Sequence, residues 1–210
     1  MQNNIQRKKE DPVQLFKNPV MERLTLLSFP VFLAVWLPCL AIVLFYAERS
    51  SVSGLLFTFY VVIGIVAWFP VEYLLHRFLF HFQTRYAPVQ SLIYMLHGNH
   101  HEQPNHPLRN LMPLCVTLPL AAVIWFGCAF FMGKGNGGAL AAGFFCGYVF
   151  YDVTHYSCHQ FRMRGRFLSR LKSHHINHHY RDHNMNYGIT NTIIDRFFCT
   201  TFSSYQKNNK

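Results

Sequence analysis

Four apolar runs constrain this chain more than any other feature: Phe29–Ala47, Val52–Leu75, Leu111–Met132 and Ala139–Tyr156. A helix that crosses a bilayer needs about 20 largely apolar residues. The first three runs meet that length and the fourth falls short of it. The only charges inside them are Glu72 and Asp152, each near one end of its run. Pro30, Pro38, Pro113 and Pro119 are tolerable within membrane helices, where neighbouring groups re-satisfy the freed backbone. Charged residues make up 13% of the chain, against roughly 25% in soluble domains. An ordinary soluble fold is therefore excluded. The expected architecture is an all-α integral membrane protein, with four transmembrane helices in two hairpins and a cytoplasmic helical cap.

Loop charges set the expected orientation. Residues 1–27 carry five Lys/Arg, residues 76–110 three and residues 157–210 nine, while the two other connections carry one each, Arg49 and Lys134. Lys and Arg accumulate on the cytoplasmic side of membrane proteins. Both termini and both long segments are thus expected in the cytoplasm. Residues 1–27 read as a polar N-terminal segment, and 28–210 as the membrane domain. The first run lies too far into the chain for a cleaved signal peptide and reads as a retained anchor. A bacterial inner membrane and an endoplasmic reticulum fit equally. The basic and apolar stretch Phe161–Lys172 suits anionic headgroups. With spans present, the net charge of +10 points to lipid rather than nucleic acid.

Thirteen histidines are the second anomaly, and every one lies at or beyond an expected cytoplasmic helix end. Ten fall into four spaced clusters: His76 and His81; His97, His100 and His101; His155 and His159; His175, His178 and His179. Positions i, i+3 and i+4 share one helix face, so each H-x2-H-H triplet is expected to aim its imidazoles into a common space. His76 and His81 are five apart, about 140° on an ideal helix. Either they serve different metals, or the helix loosens after His76. Ten imidazoles are too many for one ion and suit two, with iron, zinc, copper or nickel as candidates.

Glu72 and Asp152 sit one turn before His76 and His155 and are candidate partners for the outer ring nitrogens. Asp182 and Asp195 are weaker candidates. His106, His174 and His183 read as interfacial packing. A histidine-rich transporter is the competing class, but transporters coordinate near the bilayer midplane, where these runs hold no histidine. Gly133, Gly135 and Gly138 match G-x-G-x-x-G without the strand that fingerprint requires and read as a tight turn. The six cysteines form no C-x-x-C pair and read as small apolar residues.

The strings EYLLHRFLFHF (Glu72–Phe82), HGNHH (His97–His101), GYVFYDVTHYSCHQ (Gly147–Gln160) and HHINHHY (His174–Tyr180), followed by YGIT and Asp195, resemble the fatty acid hydroxylase/sterol desaturase superfamily. Within it they are most similar to the fatty acid 2-hydroxylase branch. The resemblance runs from about Glu72 to Phe202. It implies O2-dependent hydroxylation of a fatty acyl chain at C2, with the ten clustered histidines holding two metals and no catalytic side chain beyond them. Iron is expected in the active form, because zinc has no redox change; zinc remains possible as the bound species. No H-P-G-G haem sequence is present, so electrons are expected from a separate donor such as cytochrome b5, or ferredoxin with its reductase. The alternatives are a sterol or carotenoid hydroxylase or desaturase on the same scaffold, and a non-catalytic metal-binding or transport protein. Phe78, Tyr148 and Tyr151 are candidate lining residues of the substrate pocket.

Overall fold

The structure is a computed structural model and describes residues 11–51 and 53–202. The basic residues Arg7, Lys8 and Lys9, and Val52 at the start of the second expected span, lie outside the described residues. Every regular element among the described residues is helical. In chain order these are α1 (Pro19–Thr25), α2 (Phe29–Arg49), α3 (Gly54–Leu74), a π-helical turn (Leu75–Phe80), α4 (Ala87–Ile93), a second π-helical turn (Tyr94–Gly98), α5 (Asn99–Glu102), α6 (Leu114–Met132), α7 (Lys134–Gln160), α8 (Arg166–Tyr180) and α9 (Ile193–Phe197).

Three helices are long and apolar enough to cross a membrane: α2, α3 together with the turn that extends it to Phe80, and α6. The protein itself covers little of them. Leu55, Phe130 and Phe131 are 82%, 83% and 84% exposed. A large continuous apolar surface of this kind marks contact with lipid rather than water. The chain is therefore a multi-pass membrane protein.

The fourth expected span behaves differently. It is the inner part of α7, a 27-residue helix roughly 40 Å long at about 1.5 Å per residue. It does not reach the apolarity of the other three, because protein rather than lipid surrounds it: α2, α3 and α6 all pack against it. Its buried face is rich in Gly, Ala and Tyr. A Cβ at Gly143 would lie 2.0 Å from the Val61 carbonyl oxygen, and one at Gly64 would lie 2.2 Å from that of Leu140. Only glycine permits so close an approach of two membrane helices. Tyr148 fills the centre, its ring 4.9 Å from Trp36 and 5.4 Å from Trp68.

The glycine-rich match at 133–138 is a helix junction. Gly133 takes φ +80°, a left-handed conformation that glycine adopts without steric cost, and it separates α6 from α7. The N-terminal segment packs onto residues 103–109. Arg109 pairs with Glu22 and donates to Thr25 Oγ1 at 2.8 Å, and Val13 N–H donates to Gln103 Oε1 at 2.8 Å. All six cysteines are free.

Candidate metal centre

The two π-helical turns, α5, the end of α7 and α8 gather all ten clustered histidines into two groups of five. Group A is His76, His81, His97, His101 and His178; group B is His100, His155, His159, His175 and His179. Within each group one nitrogen from every ring lies within 4.8 Å of all the others. The groups share a wall, where the rings of His101 and His179 stack at 4.1 Å.

The helix does loosen after His76. The π-helical turn at Leu75–Phe80 widens the spiral to i→i+5 spacing, so residues five apart come onto one face. His76 and His81 consequently meet, with ring centroids 5.1 Å apart, in the same group. That placement puts both rings in one group rather than one in each.

The triplets depart from expectation in an ordered way. Each H-x2-H-H splits between the groups instead of aiming at one point. His97 and His101, spaced i and i+4, enter group A while His100 enters group B. In the second triplet His175 and His179 enter group B while His178 enters group A. Positions i and i+4 lie almost in line on a helix, and i+3 is displaced to the side. Each triplet therefore spans both groups, and the two lend one imidazole to each other's site.

The donor set passes a direct test of fit. Imidazole nitrogens bind a metal such as zinc at about 2.0–2.1 Å, so two bound at right angles stand about 2.9 Å apart. Nε2–Nε2 separations are 2.9 Å for His97–His101, 3.1 Å for His81–His178, 2.8 Å for His100–His155, 3.0 Å for His100–His179 and 2.8 Å for His159–His175. In group B one His100 nitrogen faces two others, which a single shared proton does not satisfy. Burial, reinforced by neighbouring imidazoles, holds His97, His100, His101, His175, His178 and His179 well below the ordinary histidine value. Burial and then His183 bring His81 down to about 4. Neutral imidazoles with converging lone pairs are the form that binds metal. No carboxylate belongs to either group, unlike the Glu-rich sites of soluble di-iron bundles.

Outer nitrogens distinguish the groups. In group A, His76 Nδ1–H donates to the Tyr187 carbonyl at 2.6 Å and His178 Nδ1–H to the Met185 carbonyl at 2.7 Å. A carbonyl only accepts, so each bond fixes the tautomer and frees Nε2 for the interior. These carbonyls belong to a strap, residues 185–190, held by two buried carboxylates. Glu72 accepts from the Ile189 and Thr190 amides at 2.7 and 2.8 Å and from Thr190 Oγ1 at 2.5 Å. Asp195 accepts from the Tyr187 and Gly188 amides at 2.9 and 2.7 Å. In group B, Nδ1 of His100, His159, His175 and His179 is buried with no hydrogen-bond partner among the described residues.

The remaining expectations sort as follows. Glu72 hydrogen-bonds to no histidine; its reach to His76 runs through the strap. Asp152 accepts from Tyr148 Oη at 2.6 Å rather than from His155. Asp195, a weaker candidate from sequence, is a hub that also meets His174 Nε2 at 2.9 Å. Asp182 caps the turn after α8, accepting from Asn184 N–H at 2.9 Å. His174 and His106 lie outside both groups. His183 does too, but its Nδ1 is 2.9 Å from that of His101. The carbonyls of Met185 and Tyr187 were missed because every residue carries one. The nearest signal was Asn186, at φ +59°, a left-handed position that Asn tolerates.

Comparison with known proteins decides the family. The fatty acid hydroxylase family model matches residues 61–200. The chain belongs to the fatty acid hydroxylase family. Family members named among its relatives include dihydroceramide fatty acyl 2-hydroxylase FAH2 of Arabidopsis thaliana, 33% identical over 89% of this chain and 79% of that protein. The ceramide very long chain fatty acid hydroxylase scs7 of Schizosaccharomyces pombe is 36% identical over 89% of this chain and 54% of that one. The solved hydroxylase domain of scs7p superposes with a TM-score of 0.82 at 30% identity, covering 90% of this chain and 72% of that one. This family member is accordingly a membrane oxidoreductase.

Proposed function

We propose that the protein hydroxylates a fatty acyl chain at C2, consuming O2, two electrons and two protons to give the alcohol and water. The observation that carries this reading is an apolar cavity of about 340 Å³ beside the histidine groups; two of its lining rings, Phe80 and Tyr151, stack on His97 and His155 at 4.9 and 6.0 Å. Leu75 and Leu96, each adjacent in sequence to a group A histidine, line it, as do Tyr148, Tyr151 and Trp68. Phe78 does not; it is 57% exposed. Such a chamber buries an alkyl chain and excludes water, at a volume typical of ligand sites. The names of the relatives, fatty acyl and ceramide 2-hydroxylases, supply the substrate class and position.

Groups A and B hold one metal each in this reading. Bound there, a redox-active pair such as iron supplies O2 activation, which zinc alone does not. The residues of the chain hold the imidazoles neutral, fix their tautomers through the strap and aim the alkyl chain at them. Electrons come from a separate carrier. Four helices cross the bilayer, α7 inside the sleeve of the other three, and the basic segments put both termini and the cap in the cytoplasm.

The test is lipid profiling of a host expressing the protein beside His97→Ala and His178→Ala. Wild type should yield 2-hydroxyacyl lipids one oxygen heavier than their precursors, and both variants should reduce them to background while still inserting in the membrane. Altered sterols or carotenoids with unchanged hydroxyacyl lipids would overturn the substrate assignment.

A further inference from the structure

A second cavity, of about 460 Å³, lies between α2 and α6. It shares Trp36, Ala121 and Phe145 with the cavity beside the histidines. The two are arranged in depth. Along α6, which runs away from the histidines, the first cavity is lined from Val116 to Ile124 and the second from Leu118 to Ala129. Along α2 the first cavity touches Trp36 alone, and the second continues from Trp36 through Tyr46 to Ser50. From Ala121 to Ala129 the helix advances about 12 Å. The second cavity therefore overlaps the first by about two turns and extends the apolar path towards the far end of the bundle, where Lys134 lines it; it is open on its outer side, where Ile42, Tyr46 and Phe126 are exposed.

We propose that these chambers form one acyl path and that Trp36 is the partition that sets the chain length the enzyme accepts. This rests on the fatty acyl reading above. Trp36 is 2% exposed, with its ring 4.9 Å from Tyr148 and 6.2 Å from Phe145. Its indole N–H is buried without a hydrogen-bond partner among the described residues, whereas buried tryptophans usually find one. Packing alone thus holds the ring across the junction. Ala121 opposite it is small, so bulk at the junction comes from Trp36 and Phe145. The occupant of the second chamber is the distal part of a substrate chain whose reacting end lies at the histidines. The wall that the two cavities share, Trp36, Ala121 and Phe145, is what selects it over an unrelated bilayer lipid.

The test feeds fatty acids of graded length to cells expressing the full chain and reads the lengths of the 2-hydroxy products by mass spectrometry. Trp36→Leu opens the junction and should raise the ratio of longest to shortest products about tenfold, the scale on which apolar pockets discriminate by size. Ala121→Phe fills the junction and should move the ratio the other way. Metal content of each purified variant reports whether it folds; if Trp36→Leu does not, Ala121→Phe decides. Folded variants that make hydroxy products with the wild-type length distribution would overturn the partition while leaving the activity in place. A wild type that makes no hydroxyacyl product at any length would overturn the fatty acyl reading, and the partition with it.

Discussion

Group A and group B are built from the same side chain in the same number, yet different parts of the fold hold them. Group B draws four of its five histidines from the long regular helices α7 and α8. Their rings are placed by helix geometry, by contact with one another and, for His155, by a hydrogen bond to the Asn110 backbone. Group A draws four of its five from the two π-helical turns and their immediate continuations, and two of its rings are steered by carbonyls of the 185–190 strap. One site is positioned by rigid rods, the other by irregular backbone that must itself be held. The difference teaches that Glu72 and Asp195 bear on group A through the backbone they pin.

The largest expected effect follows from cutting that support. Asp195→Ala releases the Tyr187 and Gly188 amides and should weaken metal binding in group A by about 10–100-fold, the usual cost of losing an outer partner. Group B should be nearly unaffected. Metal stoichiometry during graded chelation should then fall from two to one well before it falls to zero; simultaneous loss of both metals would break the contrast.

Acid should act next. The buried imidazoles have depressed pKa values, so the unfolded chain takes up protons first as pH falls below its value of about 6.5. The stability they contribute is present above that pH and is lost as pH falls from about 6.5 towards the folded value, which is about 4 for His81. Thermal unfolding of the metal-free protein across this window should show a falling midpoint. A midpoint that rises on acidification would contradict neutral buried clusters.

The smallest effect is expected at His183. Replacing it with Ala removes one contact to His101 and should cost about 1 kcal/mol, the worth of a typical hydrogen bond. Group A affinity by competitive chelation should fall about fivefold. No change at all would return His183 to interfacial packing.

The spans of α2, α3 and α6 were legible because lipid-facing helices must be apolar along their length. The position of α7 was legible only in part: a helix sheathed in protein is released from that demand, so its Gly and Ala read as a weak span. All ten clustered histidines were legible from spacing. Their division between groups was not, since i, i+3 and i+4 positions look alike until neighbouring helices fix which side each faces. Glu72 was singled out for its proximity to His76, but its reach through Ile189 and Thr190 depends on a contact across more than a hundred residues. No local pattern encodes such a contact.

The π-helical turn at Leu75–Phe80 carries one further consequence. Each residue of an α-helix advances the side-chain direction by about 100°, so the numbering of a helix works as a clock. The wide turn delays that clock by one residue, the geometric equivalent of a single insertion. Everything before it keeps the phase that suits a membrane span, and His81 after it keeps the phase that suits the imidazole group. Two incompatible periodicities, one for lipid and one for coordination, are thereby joined in a single uninterrupted rod.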